Sequence, residues 1–276
     1  MKIIKKAFSI FLCAALCFCF ASCGAGKIGD EELSASQSDD DSTVRITFPE
    51  GFTVAEIAAR LEENGVCSAE DFMAEANNPD YLADYGIEID EPGERAFLLE
   101  GYIFPDTYDF YKPEGASSVI KRFLRNFNSQ ISDEMKQRAD SLGYSLDEIL
   151  TIASIIQEEA GNPPEMPKVS AVLHNRLDSP SFSKLQCDAS SFYLRNSVKP
   201  YVSEERYETL LQAYSTYNCV GLPEGPITNP GIDAINAALY PADSPYYFFV
   251  TDDNGVYYYA ETFSEHQENC TLAGIY

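Results

Sequence analysis

Two adjacent glutamates offer the most pointed acid–base chemistry in this chain. Glu158 and Glu159 close the run from Ser145 to Ala160, SLDEILTIASIIQEEA. Ser145 and Glu148 stand at capping-box spacing, which sets a helix start. At about 100° per residue, Ile149, Ile152, Ala153, Ile155, Ile156 and Ala160 gather on one stripe. Glu159 falls at about 280°, between Ile155 and Ile152, while Glu158 falls at about 180°, beside Thr151 and Ser154. The wheel therefore predicts a solvated Glu158 and a Glu159 carried on the apolar stripe. A carboxylate is costly to bury charged, and a helix C-terminus disfavours an anion. Glu159 is thus expected to hold its proton to higher pH than Glu158, as a general acid requires. The wheel leaves an alternative open: a glutamate at a frayed helix end, reaching back to water. Gln157, at about 80°, borders apolar residues too.

Two further clusters carry polar groups suited to holding a ligand. One is Leu185-Gln186-Cys187-Asp188. The other is Tyr214-Ser-Thr-Tyr217-Asn218, running into GLPEGPITNPG at Gly221 to Gly231. Glycine and proline at that density fix unusual backbone angles. Such a loop either carries function or simply connects elements. His174 and His266 are the only histidines, so a His-rich metal site is excluded, and no CxxC supports a zinc or thioredoxin-type reading. No metal or cofactor is expected. A thiol peptidase would have to pair Cys187 with His174 or His266. Cys187 has no base beside it in sequence, and Asp188 would raise its pKa, so it is not expected to be a nucleophile.

The elements that must position these residues follow from pattern. Val44, Ile46 and Phe48 alternate with polar residues and predict a strand. Thr53 with Glu56 opens a helix that Gly65 stops, and Ser68 opens a second helix through Asn77. Residues 79–95 read as a polar connector, followed by an apolar, aromatic segment from Leu98 to Tyr108. Helices are predicted over 117–131, 132–142, 145–160, 165–177 and 231–239. Residues 246–250 and 256–260 flank Thr251-Asp-Asp-Asn-Gly255 as a hairpin. Helices dominate, with strands towards both ends: an α+β protein.

Before the fold comes an export signal. Lys2, Lys5 and Lys6 precede a run from Ala7 to Ala21 that is apolar apart from Ser9. The run is short of the about 20 residues that span a bilayer. It ends Phe20-Ala-Ser-Cys23-Gly24, which resembles a bacterial lipobox with Cys23 as the lipidated residue. The alternatives are an uncleaved membrane anchor and an ordinary cleaved signal. Residues 24–43 are acidic and serine-rich, a solvated linker. The domain reading is therefore 1–23 signal or anchor, 24–43 linker, 44–78 a small strand–helix–helix unit, and 79–276 a main domain. The four cysteines beyond the signal, Cys67, Cys187, Cys219 and Cys270, permit disulfides without fixing pairings. The 276 residues are 45% apolar, enough for a core and too many for a disordered chain. Lys plus Arg number 19 against 44 Asp plus Glu, a formal charge of −25 that excludes nucleic acid as a partner.

Several segments together resemble one family. They are LEGYIFPDTY at Leu99 to Tyr108, ASIIQEE at Ala153 to Glu159, VLHNRL at Val172 to Leu177, LQCD at Leu185 to Asp188, and the loop from Gly221 to Gly231. In order and spacing, from Val44 onward, the chain is similar to the endolytic murein transglycosylases, the MltG or YceG-like family. The resemblance implies a membrane-anchored, extracytoplasmic lyase that cuts peptidoglycan glycan strands internally. It leaves 1,6-anhydro-muramyl ends, terminates nascent strands and has cell-wall synthases as candidate partners. It also implies a YceG-like catalytic domain, a LysM-like subdomain at 44–78 and catalysis by Glu159, the last acidic residue of the helix motif. Asn175, Gln186, Asp188 and Tyr217 are the polar motif residues expected to hold the sugar. Three departures stand out. Gln157 replaces an acidic residue, Ser215 replaces an asparagine in the Tyr-Asn-Thr-Tyr motif, and a lipobox replaces the customary transmembrane helix. Two rival functions remain at this stage. One is a two-carboxylate hydrolase using Glu159 and Asp188. The other is a non-catalytic peptidoglycan-binding lipoprotein.

Overall fold

Alternating apolar residues make strand β1 (Thr43–Thr47), and its partner arrives from well downstream. β1 pairs antiparallel with β2 (Thr107–Tyr111), with Val44 opposite Phe110 and Ile46 opposite Tyr108. The structure is a computed structural model that describes residues 42–89, 92–93 and 95–275. Cys23, the apolar run before it and the linker as far as residue 41 lie outside the described residues.

Between the two strands come α1 (Val54–Glu63), α2 (Ala69–Glu75) and α3 (Asp80–Tyr85). Thr53 and Glu56 form the expected capping box on α1. The segment 79–95 is therefore not all connector: α3 lies within it, flanked by Pro79 at its N-cap and by Gly86, which takes a left-handed φ, at its C-cap. A boundary after residue 78 is also not a break in the packing. β1 closes only when β2 returns, and Phe48 meets Phe123 of α4 (Ala116–Gln130) edge-on, ring centres 5.2 Å apart. One continuous core runs from Ile46 to Leu239.

α5 (Asp133–Leu142) leads into α6 (Leu146–Glu159), whose Ser145–Glu148 capping box is present as expected. α7 (Met166–Leu177) follows. α8 (Ala189–Tyr193) runs into a π-helical turn at Leu194–Val198, then comes α9 (Glu204–Tyr214). α10 (Ile232–Leu239) packs on α6. β3 (Phe248–Thr251) and β4 (Tyr257–Ala260) form the expected hairpin, and α11 (Phe263–Leu272) follows it. Pattern reading missed α8, α9 and α11. Ser203 caps α9, and Thr262 with Glu265 forms a capping box on α11, so local signals were present for both. Helices with small antiparallel sheets make a mixed α and β architecture, with β2 mid-chain rather than at an end.

α6 is buried on nearly all sides. Thr151 and Ser154, on the supposed polar face, are as buried as the isoleucines. The Gly/Pro loop covers that face. The Ile227 N–H donates to Ser154 Oγ at 3.0 Å, and the Gly231 N–H donates to Gln157 Oε1 at 3.0 Å. Asn229, in the same loop, ties three segments together. Its Oδ1 accepts from the N–H groups of Gly101 (2.9 Å) and Ile103 (2.8 Å). Its Nδ2 donates to the Phe52 carbonyl (2.9 Å) and to Glu100 (2.8 Å). Gly101 sits at φ 89°, and a Cβ there would stand 2.5 Å from Pro226, so only glycine lets these motifs meet.

Candidate active site

Glu159 is the last residue of α6, half-buried at the wall of a cavity of about 340 Å³. A helix leaves its final carbonyls without intrahelical partners. Here the hairpin supplies one: the Tyr257 hydroxyl donates to the Glu159 carbonyl at 2.9 Å and accepts from the Gly161 N–H at 2.6 Å. Burial is the largest influence on the Glu159 carboxyl and raises its pKa. The Ala189 N–H, at the start of α8, favours the charged form, and the charge of Asp188 pushes the pKa further up.

The two polar clusters come together against this glutamate. The Gln186 N–H donates to the Thr216 carbonyl at 3.0 Å, and Gln186 itself adopts φ 57°, the left-handed region. The Thr216 hydroxyl donates to the Cys187 carbonyl (2.7 Å) and accepts from the Cys187 N–H (3.0 Å). That clamp holds Gln186 and Asp188 on opposite sides of a buried Cys187. The Tyr217 hydroxyl then donates to Asp188 Oδ1 at 2.7 Å. Glu159, Gln186, Asp188 and Tyr217 all line the one cavity.

Asn175 does not join them. Its amide donates to the carbonyls of Ser244 and Tyr246, both at 2.8 Å, and it does not line the cavity. Both its N–H groups anchor the segment that leads into β3, so the structure does not bring Asn175 together with the other expected sugar-holding residues. The neighbouring Arg176 faces the cavity instead.

The contrast drawn between the two glutamates also needs correction. Glu158 is an exposed residue, but its carboxylate leans over Gly51, with Oε1 2.8 Å from where a Cβ would stand. It shares a cleft with Thr53 and Glu56. Burial of the carboxylate, then the charges of Glu56 and Glu159, push it up to about 7. Both glutamates are therefore raised, and the wheel's ordering does not hold. What separates them is the cleft each faces: Glu158 looks towards α1, Glu159 into the larger cavity.

Much of the cavity wall escaped the sequence reading. Tyr247, Phe248 and Phe249 come from the β3 arm, and Phe263 and His266 from α11. An aromatic run beside a hairpin was visible, but nothing local said that it faces Glu159. Cys187 and His266 share this cavity, yet the thiol facing His266 Nε2, at 3.6 Å, is that of Cys270, and the Cys187 thiol faces the Leu185 carbonyl. Cys187 is 5% exposed, and burial first, then Glu159, hold its thiol well above the usual range. The His174 ring contacts the Ala238 carbonyl at 2.9 Å. Cys67, Cys187, Cys219 and Cys270 are all free thiols.

A largely helical fold thus presents one half-buried carboxyl, that of Glu159, to an aromatic-walled cavity. A profile of the YceG-like family matches residues 29–271. The chain belongs to the YceG-like family. The endolytic murein transglycosylase of Bacillus subtilis is 29% identical over 235 residues, covering 81% of this chain and 63% of that protein. The endolytic murein transglycosylase of Streptococcus pneumoniae serotype 2 is 27% identical over 245 residues, 81% of this chain and 43% of its own. The chain thus spans only 43% to 63% of the length of these curated relatives. A 2.6 Å crystal structure of a YceG-like protein from Listeria monocytogenes superposes with a TM-score of 0.69 at 26% identity, covering 82% of this chain and 75% of that one.

Proposed function

We propose that this chain is an endolytic peptidoglycan lytic transglycosylase with Glu159 as its single acid–base residue. The observation that carries the reading is the placement of Glu159. It is half-buried with a raised pKa, in a cavity that also presents Gln186, Asp188, Tyr217 and an aromatic wall. The protonated carboxyl donates to the glycosidic oxygen between N-acetylmuramic acid and N-acetylglucosamine. The resulting carboxylate then takes the proton of the muramyl 6-hydroxyl, which attacks C1 and closes a 1,6-anhydro ring. One group performs both steps, so no water and no second carboxylate is consumed. Gln186 and Asp188 are suited to the sugar's N-acetyl and hydroxyl groups, and Tyr217 orients Asp188.

Asp188 in the same cavity favours a rival, a hydrolase with two carboxylates. Mass analysis of muropeptides released from purified sacculi decides between them. Anhydro ends support the transglycosylase, reducing ends the hydrolase, and binding without release a non-catalytic module.

Three further assignments belong to this reading. The strand–helix–helix unit at 44–78, closed by β2, is a LysM-like sugar-binding subdomain, and loss of glycan binding on altering its exposed residues would support it. Cys23 carries a lipid that holds the domain on the outer face of the membrane. Fatty-acid labelling that persists in Cys23→Ala would overturn that assignment. The cuts terminate nascent strands beside the synthases, which predicts longer glycan chains in cells lacking the activity.

A further inference from the structure

Arg176 is a cation without a counter-ion in a strongly acidic protein. It is 6% exposed. Its Nε donates to the Lys184 carbonyl at 2.9 Å, its Nη1 to the Tyr247 carbonyl at 2.9 Å, and its Nη2 to Gln186 Oε1. All three acceptors are neutral. Among the described residues no aspartate or glutamate is ion-paired with Arg176 or with Lys184. A guanidinium carries five N–H donors, so two remain unspent. Burying a charge is costly unless an opposite charge meets it. Nothing in the acid–base steps uses this one, because a cation does not help a positively charged transition state.

The space beside it is equally unusual. Arg176 and Gln186 form a wall shared by the main cavity and a second cleft of about 220 Å³. That cleft is completed by Ser181, Phe182, Ser183 and Lys184. No carboxylate lines it, in a chain with 44 acidic residues. Two cations and two hydroxyls around a small cleft suit a carboxylate, which a guanidinium can bind in a charge-assisted way.

We propose that the Arg176–Lys184 cleft is a carboxylate subsite. It receives the anionic arm of a muramyl residue while the sugar ring lies in the Glu159 cavity. The inference rests on the transglycosylase reading for its substrate class. That arm offers a carboxylate in two forms: the lactyl carboxylate of a peptide-free residue, or a carboxylate of the attached peptide. Gln186 links subsite to site, since its side chain is held by Arg176 and its backbone by Thr216.

Binding to the full chain carrying Glu159→Gln tests this by calorimetry with three glycan preparations. The first bears peptides, the second is stripped by an amidase to free lactyl carboxylates, and the third is stripped with those carboxylates capped as methylamides. At least one charged preparation should bind about tenfold tighter than the capped one, and whichever does so names the source of the carboxylate. Adding Lys184→Gln or Arg176→Gln should bring that ratio to about one. Arg176→Lys, which keeps the charge, should retain most of it. Lys184 is exposed, so its substitution tests the subsite even where Arg176→Gln unfolds. Equal affinity for all three preparations overturns the proposal, as does a ratio untouched by both Gln substitutions. Cleavage is scored separately with wild-type protein. Normal anhydro product with no charge preference sinks the subsite alone. A charge preference without product sinks the transglycosylase reading and leaves the subsite standing.

Discussion

The Tyr257 hydroxyl donates to the backbone carbonyl of Glu159 at 2.9 Å, so the C-terminal hairpin holds the end of the helix that presents the proposed acid. The same hydroxyl accepts from the Gly161 N–H, so one side chain closes the frayed turn on both sides. Tyr257 is a positioning residue, and small misplacements of a reacting group are costly. Tyr257→Phe should lower kcat by roughly tenfold to a hundredfold, with little change in KM and a displaced pH profile. A normal kcat with an unmoved profile would show that the helix end needs no such tie.

Glu159→Gln keeps size and hydrogen bonding but cannot shuttle a proton. Anhydro-muropeptide release should fall by about 10²-fold or more, with circular dichroism unchanged. Glu158→Gln, facing the cleft towards α1, should cleave nearly as wild type. The wild-type kcat/KM should decline as pH rises through the raised pKa of Glu159, because the first step needs the protonated form. If Glu158→Gln alone abolishes product, the acid has been assigned to the wrong neighbour.

Cys187 lies between Gln186 and Asp188 as a buried thiol whose proton is held tightly. Cys187→Ala should retain most glycan cleavage, and iodoacetamide should leave the native thiol unmodified until denaturant is added. Rapid native alkylation that also stops cleavage would revive a thiol mechanism.

Glu100 is 1% exposed, and burial pushes its pKa up to about 8, although Val54 N–H and Asn229 Nδ2 both donate to it at 2.9 and 2.8 Å. In the unfolded chain the same group titrates near 4.5. Between those values the unfolded state releases the proton first, so stability falls as pH rises from about 4.5 to about 8. The melting temperature should therefore drop between pH 5 and pH 8. Glu100→Gln should flatten that slope. Its new N–H₂ can donate to the Tyr193 hydroxyl, which is buried beside Glu100. A slope unchanged by the substitution would place the titration elsewhere.

What could be read without a structure was whatever neighbours within a few residues decide. The Thr53–Glu56 and Ser145–Glu148 capping boxes, the span of α6, the β3–β4 hairpin and the placing of Gln186, Asp188 and Tyr217 in shared motifs all belong there. Periodicity and capping are local, and motif residues keep their order whatever the fold does. Tertiary structure decided the rest. A helical wheel assumes water on the polar side, but a loop from residues 221–231 covers Thr151 and Ser154, and α1 brings Glu56 up to Glu158. Asn175 and Arg176 are adjacent in the chain. One is spent on two backbone carbonyls, and the other lines the cavity without a counter-ion. Burial and charge are sums over atoms brought near by packing, and no spacing along the chain contains them.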